Sequence, residues 1–395
     1  GGSGVVEINK RLRPDRALQL AFGCDNGCAE QSVVQETLNA CTEQNVSELE
    51  AAVKQVYRSH SRGYQHNYQH QWQLLDVDLS GRTCGKQAHQ AQKGYFNQGR
   101  NRRGRQVGRV LVSRYQEIVI QRLYPGQTQL TGVLPELVEA AADILGLDEA
   151  KRRRTIIRFD AGGGSVAVIN DLLQAGYQLH GKDFSGPRIK KLTQAIKEWF
   201  PDPTDPNRQL AWLPQETQLY QQPLYRLAVR ARRSKKRWGV GLILSSLKPE
   251  TVLDLTGQPA TTDPHQQGLA YLSFYDQRAG SIEISFKQDN QGLAATKRNK
   301  KKFAAQQMLL LLETLAHNTI VWLRHKLAEV CPALAKFGLK RWVRDVFHIP
   351  GLLCFDQACH LFQIVLQQSD PIARKLAPPL ASLARSKIYI ILGEI

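Results

Sequence analysis

The stretch Thr155-Ile-Ile-Arg-Phe-Asp160-Ala-Gly162-Gly163-Gly164-Ser165 constrains the fold of this chain more than any other. An apolar run ends on a carboxylate and turns through three glycines into apolar residues at Val166, Ile169, Leu172 and Leu173. The hydrophobic period switches there from 2 to 3.6, which predicts a buried β-strand followed by a helix from about 165 to 175. Asp160 then stands at the carboxyl end of a strand, where side chains of an α/β sheet project into the crevice that binds ligands. Three roles are open to this segment. The glycines can cradle a phosphate or dinucleotide at the helix N-terminus, although Gly-Gly-Gly lacks the spacing of the dinucleotide fingerprint. Asp160 can instead be a metal ligand with carboxylate partners elsewhere, or an N-cap-like turn residue.

Charge narrows the choice of partner. Lys and Arg number 53 against 35 Asp and Glu, a net charge of +18. Such an excess suits a polyanion, nucleic acid first, because neutralised phosphates release their counterions; an anionic membrane surface is the alternative. No apolar stretch reaches the roughly 18–20 residues that cross a bilayer, and no signal-peptide pattern opens the chain, so a soluble intracellular protein is expected. With 395 residues, 42% of them apolar, the chain can bury a large core, and two or three subdomains are expected. Gly1–Gly4 has the composition of a linker and no Met precedes it, so native sequence upstream is expected. The seven cysteines are odd in number and scattered, unlike a disulfide framework. Cys24-x3-Cys28 and Cys354-x4-Cys359-His360 lack the spacing of a structural zinc site; reduced, mostly buried thiols are expected.

Taken in order, residues 1–70 read as a helical region, with helices at 14–22, 32–40 and 46–60, the last with a one-sided apolar stripe. Residues 58–70 read as a polar loop. Trp72-Gln-Leu-Leu-Asp76-Val-Asp78-Leu-Ser80-Gly81 is an apolar strand with two acids in its middle. Acids inside a strand break the binary pattern unless they face solvent or a metal, and Asp76 and Asp78 share one face. A basic loop with Arg100, Arg102, Arg103, Arg105 and Arg109 leads into a hairpin of strands at 107–112 and 115–121. A helix at 134–145, the Asp160 strand, its helix and a strand at 177–182 complete residues 71–185 as β, β, β, α, β, α, β. Residues 186–270 read as a basic, β-rich segment: a helix at 187–199, a Pro/Asp breaker at 201–206, and strands at 225–233 and 238–245 around a turn. That hairpin carries Arg226, Arg230, Arg232, Arg233, Lys235, Lys236 and Arg237, a dense basic feature suited to a phosphate backbone. Residues 271–330 contain Tyr275, Arg278, Glu283 and Lys287. Their period is ambiguous, alternating at Ile282, Ile284 and Phe286 like a strand, whereas a helix would put Glu283 and Lys287 one turn apart. A long core helix at 303–327 follows, and the tail 331–395 reads as helical with Pro breaks.

Three motifs in order resemble one family. Leu75-Asp76-Val-Asp78-Leu-Ser, then Arg158-Phe-Asp160-Ala-Gly-Gly-Gly-Ser, then Tyr275-x2-Arg278…Glu283…Lys287 is similar to the DDE transposases of bacterial insertion sequences. Within them the resemblance is to the cut-and-paste group with a β-rich insertion before the last acid. It covers roughly residues 70–350. The spacings, 82 residues from Asp78 to Asp160 and 123 from Asp160 to Glu283, leave room for that insertion. The resemblance implies an α/β fold: a ribonuclease-H-like mixed sheet flanked by helices, with a β-rich insertion and helical N- and C-terminal regions. By motif position it implies Asp78, Asp160 and Glu283 as catalytic metal ligands, with Asp76 as the fallback for the first. Tyr275, Arg278 and Lys287 match the family's Tyr–Arg–Glu–Lys motif, which contacts DNA near the cleavage site. Four residues separate Arg278 from Glu283 and three separate Glu283 from Lys287, against three and six in the family.

The residue types fit that chemistry in their own right. Two Mg²⁺ ions about 3.5–4 Å apart, held by one shared and two flanking carboxylates, supply an activated nucleophile and a stabilised leaving oxygen. Hard Mg²⁺ takes carboxylate oxygens and keeps several waters, and Mn²⁺ is expected to substitute. The implied partners are double-stranded DNA, as transposon terminal repeats and target, and a second copy of the chain on DNA; the implied location is the bacterial cytoplasm, at the nucleoid. The basic residues Arg102, Arg103, Arg230, Arg232, Arg233, Lys235, Lys236 and Arg237 would hold the duplex. Other readings are a ribonuclease-H-like nuclease without strand transfer, a catalytically inactive DNA-binding descendant, and a nucleotide-binding oxidoreductase built on Gly162–Gly164. The last explains neither the charge nor the acids at 76 and 78.

Overall fold

The computed structural model describes residues 6–24, 26–94, 96, 102–234, 237–297, 299–384 and 388–395, with 233, 234 and 237 described as backbone alone. In chain order the helices α1 (Arg16–Ala21), α2 (Gln31–Ala40) and α3 (Glu43–His60) precede strands β1 (Gln73–Thr83), β2 (Gln92–Lys93), β3 (Arg103–Val112) and β4 (Glu117–Pro125). Then come α4 (Leu130–Leu145), α5 (Glu149–Arg153), β5 (Thr155–Phe159), α6 (Val166–Gln174), β6 (Gln178–Lys182) and α7 (Gly186–Thr193). Strands β7 (Phe200–Asp202), β8 (Asp205–Glu216), β9 (Leu224–Ser234) and β10 (Arg237–Ser245) lead to α8 (Pro249–Thr256) and α9 (Pro264–Arg278). A π-helical turn (Ala279–Glu283) follows, then α10 (Ile284–Gly292), α11 (Phe303–Val330), α12 (Leu339–Arg341), β11 (Gly351–Phe355), β12 (Leu361–Gln367), α13 (Pro371–Leu383) and β13 (Tyr389–Gly393). The chain forms two compact units, one of Ser61–Thr83 and Gln92–Ile284, the other of Gly1–His60, Cys84–Ala91 and Ser285–Ile395.

The first unit is built on one ten-stranded sheet in the order β2-β3-β1-β5-β6-β10-β9-β8-β7, with β4 on β3. Strands β4, β3 and β1 pair antiparallel, and β1, β5 and β6 pair parallel. The run β4-β3-β1-β5-β6 is the ribonuclease-H-like arrangement: a meander of three strands, then two parallel strands reached by helical crossovers, as parallel pairing requires. The β-rich segment does not stand apart from this sheet. β10 pairs antiparallel with β6, Ile243 beside Lys182 and Ser245 beside His180, so the segment extends the core sheet.

Three local readings change here, and one left open is decided. The helix at 187–199 stops at Thr193, and Phe200 and Pro201 pair with β8 instead; a residue before proline is disfavoured in the helical region. The Pro/Asp breaker at 201–206 opens the twelve-residue strand β8, whose Leu210 and Trp212 face the core. Arg105 and Arg109 lie buried in β3 rather than in a basic loop. Residues 271–278 are helical: Tyr271, Leu272, Phe274 and Tyr275 pack on Ile156, Leu210, Leu227 and Ile243, and burial of that stripe overrides the alternation further on.

In the second unit α3 packs its apolar stripe, Val46, Leu49 and Val53, on Ala304, Met308 and Leu311 of α11. The far end of α11 gathers Leu334, Phe337, Leu339 and the fully buried Trp342. The tail is not wholly helical. β11 and β12 form an antiparallel hairpin, and α13 crosses back so that β13 joins β12 in parallel. Leu361–Leu366 and Tyr389–Leu392 are the aromatic and β-branched runs that make those strands. The cysteines are free, six half-buried and Cys359 exposed, more open than the expected buried thiols. Among the described residues no helix is long and apolar enough to cross a membrane.

Candidate active site

The parallel strands β1, β5 and β6 run in register, with Asp76 beside Arg158 and Arg158 beside His180. Side chains alternate along a strand, so these three share one face, the face covered by α9. The row is sealed. Arg158 Nε lies 2.6 Å from Asp76 Oδ1 and Nη2 3.0 Å from Oδ2, while Ser113 Oγ donates to Oδ2 at 2.5 Å. Arg158 Nη1 donates to the carbonyl of Phe274 on α9 at 2.8 Å, with the Phe274 ring 4.8 Å from the guanidinium. His180 bridges Ser245 Oγ and the Tyr271 carbonyl, and burial followed by the charge of Arg158 pushes it down to about 3, so it is neutral. Asp76, the fallback for the first acid, is thus wholly committed to anchoring α9 on the sheet.

Two residues further along, the same face carries Asp78 and Lys182, and Asp160 follows the end of β5. Asp78 Oδ1 accepts from the Leu79 amide at 2.8 Å. Burial pushes its carboxyl up to about 6; Arg278 works against this shift and the nearby charge of Asp160 adds to it. Asp160 does act as a cap, accepting from the Gly162 amide at 2.9 Å through one oxygen. The glycines serve close packing rather than positive φ: a Cβ on Gly164 would meet the Lys182 carbonyl at 1.8 Å, and one on Gly163 would press Leu134, Leu130 and Phe159. Phe184 N also donates to the Gly164 carbonyl. The Gly run lets the Asp160 turn lie directly on the end of β6.

α9 completes the site. Arg278 is 3% exposed; its Nη1 lies 3.2 Å from Asp78 Oδ2 and its Nη2 3.1 Å from Glu283 Oε1. Burial opposes its charge, yet Asp78, Tyr275 and Asp160 together hold it above its ordinary value. A five-residue separation would put two α-helical side chains on different faces. The π turn at Ala279–Glu283 absorbs the extra residue, since π pairing runs i to i+5 and such turns favour functional sites. Tyr275 sits between two cations, its ring centre 4.3 Å from Lys182 Nζ and 5.7 Å from the Arg278 guanidinium carbon. Burial pushes its phenol up to about 12.

The other sequence-derived candidates are scattered. Lys287 lies on α10, in the second unit. Arg102 and Arg103 are exposed at the start of β3. Arg230 is held between Trp199 and Trp238, at 4.3 and 4.8 Å, and donates to Gln209 at 2.7 Å; Arg232 is exposed over Trp238. Arg226 is paired with Glu216 and the Pro214 carbonyl. Lys235 and Lys236 lie outside the described residues, as do the side chains of Arg233 and Arg237. Lys182 was missed, although its place at the end of the strand after Asp160 was the available signal.

Among the described residues, no three of His, Cys, Asp and Glu come together as a metal-binding group. The donors nonetheless suit a hard divalent cation. Asp78 and Asp160 offer carboxylate oxygens within mutual electrostatic reach, the type of donor a hard divalent cation takes. Glu283, its side chain 55% exposed, is turned onto Arg278.

No family model matches the chain, and no curated protein matches it. Among solved structures it is similar to the piggyBac transposase synaptic complex with hairpin DNA, at a TM-score of 0.44 and 12% identity over 80% of this chain and 55% of that one. The chain therefore spans about half the length of that protein.

Proposed function

We propose that the chain is a DNA transposase that cuts phosphodiester bonds at the ends of a mobile element and joins the freed 3′-hydroxyl to target DNA. The observation that carries this reading is the pair Asp78, one residue past the last β1 residue paired with β5, and Asp160, one residue past the end of β5, with Arg278 of the adjoining helix shared between Asp78 and Glu283. Asp78 and Asp160 would hold Mg²⁺, or Mn²⁺ in its place, with Glu283 as the third carboxylate. When bound, the metal polarises the phosphoryl oxygen and lowers the pKa of water. Tyr275 and Arg278 would contact DNA near the bond that is cut, and the charge of +18 favours its approach. Lys287 and the basic hairpin, including Arg232, Arg233, Lys235, Lys236 and Arg237, would hold the duplex, together with Arg102 and Arg103. An element has two ends, so two copies acting together on DNA are part of the proposal, as are an origin in a bacterial insertion sequence and a location at the nucleoid.

One observation favours a second reading. Glu283 is engaged by Arg278 rather than gathered with the other acids, as expected of a descendant that binds DNA without cutting it. The experiment is cleavage of end-labelled duplexes drawn from the flanks of the gene, in Mg²⁺ or Mn²⁺, by wild type and Asp160→Ala. Cutting by the wild type alone supports the transposase, and an added target strand then tests transfer. Binding without cutting selects the DNA-binding descendant, and no binding at low salt removes the nucleic-acid reading.

A further inference from the structure

We infer that Lys182 is the cation that takes a non-bridging oxygen of the phosphodiester positioned at Asp78 and Asp160, a role that rests on the nucleic-acid reading above. Three observations converge on it. The register of β1, β5 and β6 puts Lys182 in the same outer row as the two acids. Gly164 lets the Asp160 turn pack against the Lys182 backbone, which fixes that row at the β6 end. And Lys182 is uncommitted where its neighbours are not.

The other cations near the row are already used. Arg278 is shared by Asp78 and Glu283, and Arg208 by Asp202 and Asp276. Among the described residues, the Lys182 ammonium has no hydrogen-bonded or ion-paired partner; it faces the Tyr275 ring. The ammonium of this half-buried side chain keeps its donors open to an arriving anion. Lysine binds phosphate as a point charge. The anion has room: Lys182 lines a cavity of about 490 Å³ whose wall includes Ala161, the residue after Asp160, with Tyr275, Phe184 and Gly241. Its two carboxylates, Asp183 and Asp276, are each held by an arginine, Arg188 and Arg208, and Ala161 joins it to the Asp160 turn.

The test is lysine acylation mapped by mass spectrometry on the full chain, with and without a short duplex at low salt, while binding is followed by mobility shift. The inference expects the duplex to protect Lys182. Duplex bound with Lys182 acylated at an unchanged rate overturns it and leaves the nucleic-acid reading standing. No duplex bound removes that reading, and the inference with it. Substitution gives a second readout. Lys182→Gln should keep the melting temperature of the wild type, lower the salt dependence of duplex binding by about one ion and reduce kcat roughly 100-fold with little change in KM. Lys182→Arg should restore the salt dependence. Loss of folding in Lys182→Gln with no change in salt dependence for Lys182→Met would mark a packing role and overturn the inference.

Discussion

The Arg278 guanidinium lies 3.2 Å from the Asp78 carboxylate, and the Asp78 carboxyl is still pushed up to about 6. Burial on β1 raises it, with Asp160 adding, and Arg278 only limits the rise. Arg278→Gln should therefore move Asp78 further up. Carboxyl-carbon NMR titration of the metal-free protein reads the shift, and a fall in the Asp78 value would contradict the assignment.

That raised carboxyl has a consequence for stability. Between its ordinary range and about pH 6, folded Asp78 keeps a proton that the unfolded chain has released. Stability then falls as pH rises through that window. Asp78→Asn should remove this slope. Urea unfolding across pH measures it; a slope that persists unchanged in the variant would be the contrary result.

Asp76 should behave in the opposite way. Its oxygens are filled by Arg158 and Ser113, both partners of the ion pair are buried, and Arg158 also grips α9. Asp76→Asn should cost about 3–5 kcal/mol by leaving Arg158 without its counter-charge, and Asp76→Leu with Arg158→Met should recover most of that. Denaturant melts of the single and double variants decide it.

Glu117 predicts a local effect far from the chemistry. Buried on β4, it accepts from Ser61 Oγ at 2.5 Å, Gly63 N at 2.9 Å and Arg62 N at 3.0 Å, closing the turn ahead of β1. Glu117→Ala should cost about 2–4 kcal/mol by leaving these donors unsatisfied. Hydrogen exchange should show the Arg62 and Gly63 amides losing protection ahead of the sheet.

Much of the sheet was legible because its signals are local. The strand ending at Asp160, its Gly turn and the β1 strand with two acids each declare themselves in one window of sequence. Asp76 and Asp78 could not be told apart that way, since both point to one face; that Asp76 pairs with Arg158, on a strand far along the chain, while Asp78 meets Arg278 is a matter of register and packing. The helix at Tyr271–Arg278 depended on burial against Leu210 and Ile243, which arrive from other strands. The π turn that brings Glu283 to Arg278 leaves no mark in hydrophobic periodicity. β8 was hidden by the prolines at its start and β13 by its crossover from β12, because strand pairing is a non-local property.

Metal chemistry at Asp78 and Asp160 is tested most directly by Mn²⁺ binding, followed by electron paramagnetic resonance in the presence of duplex DNA. Wild type should take up Mn²⁺, and Asp78→Asn and Asp160→Asn should each weaken uptake by roughly tenfold or more. Equal uptake by all three proteins, or none by the wild type, would contradict a metal site built on these two carboxylates.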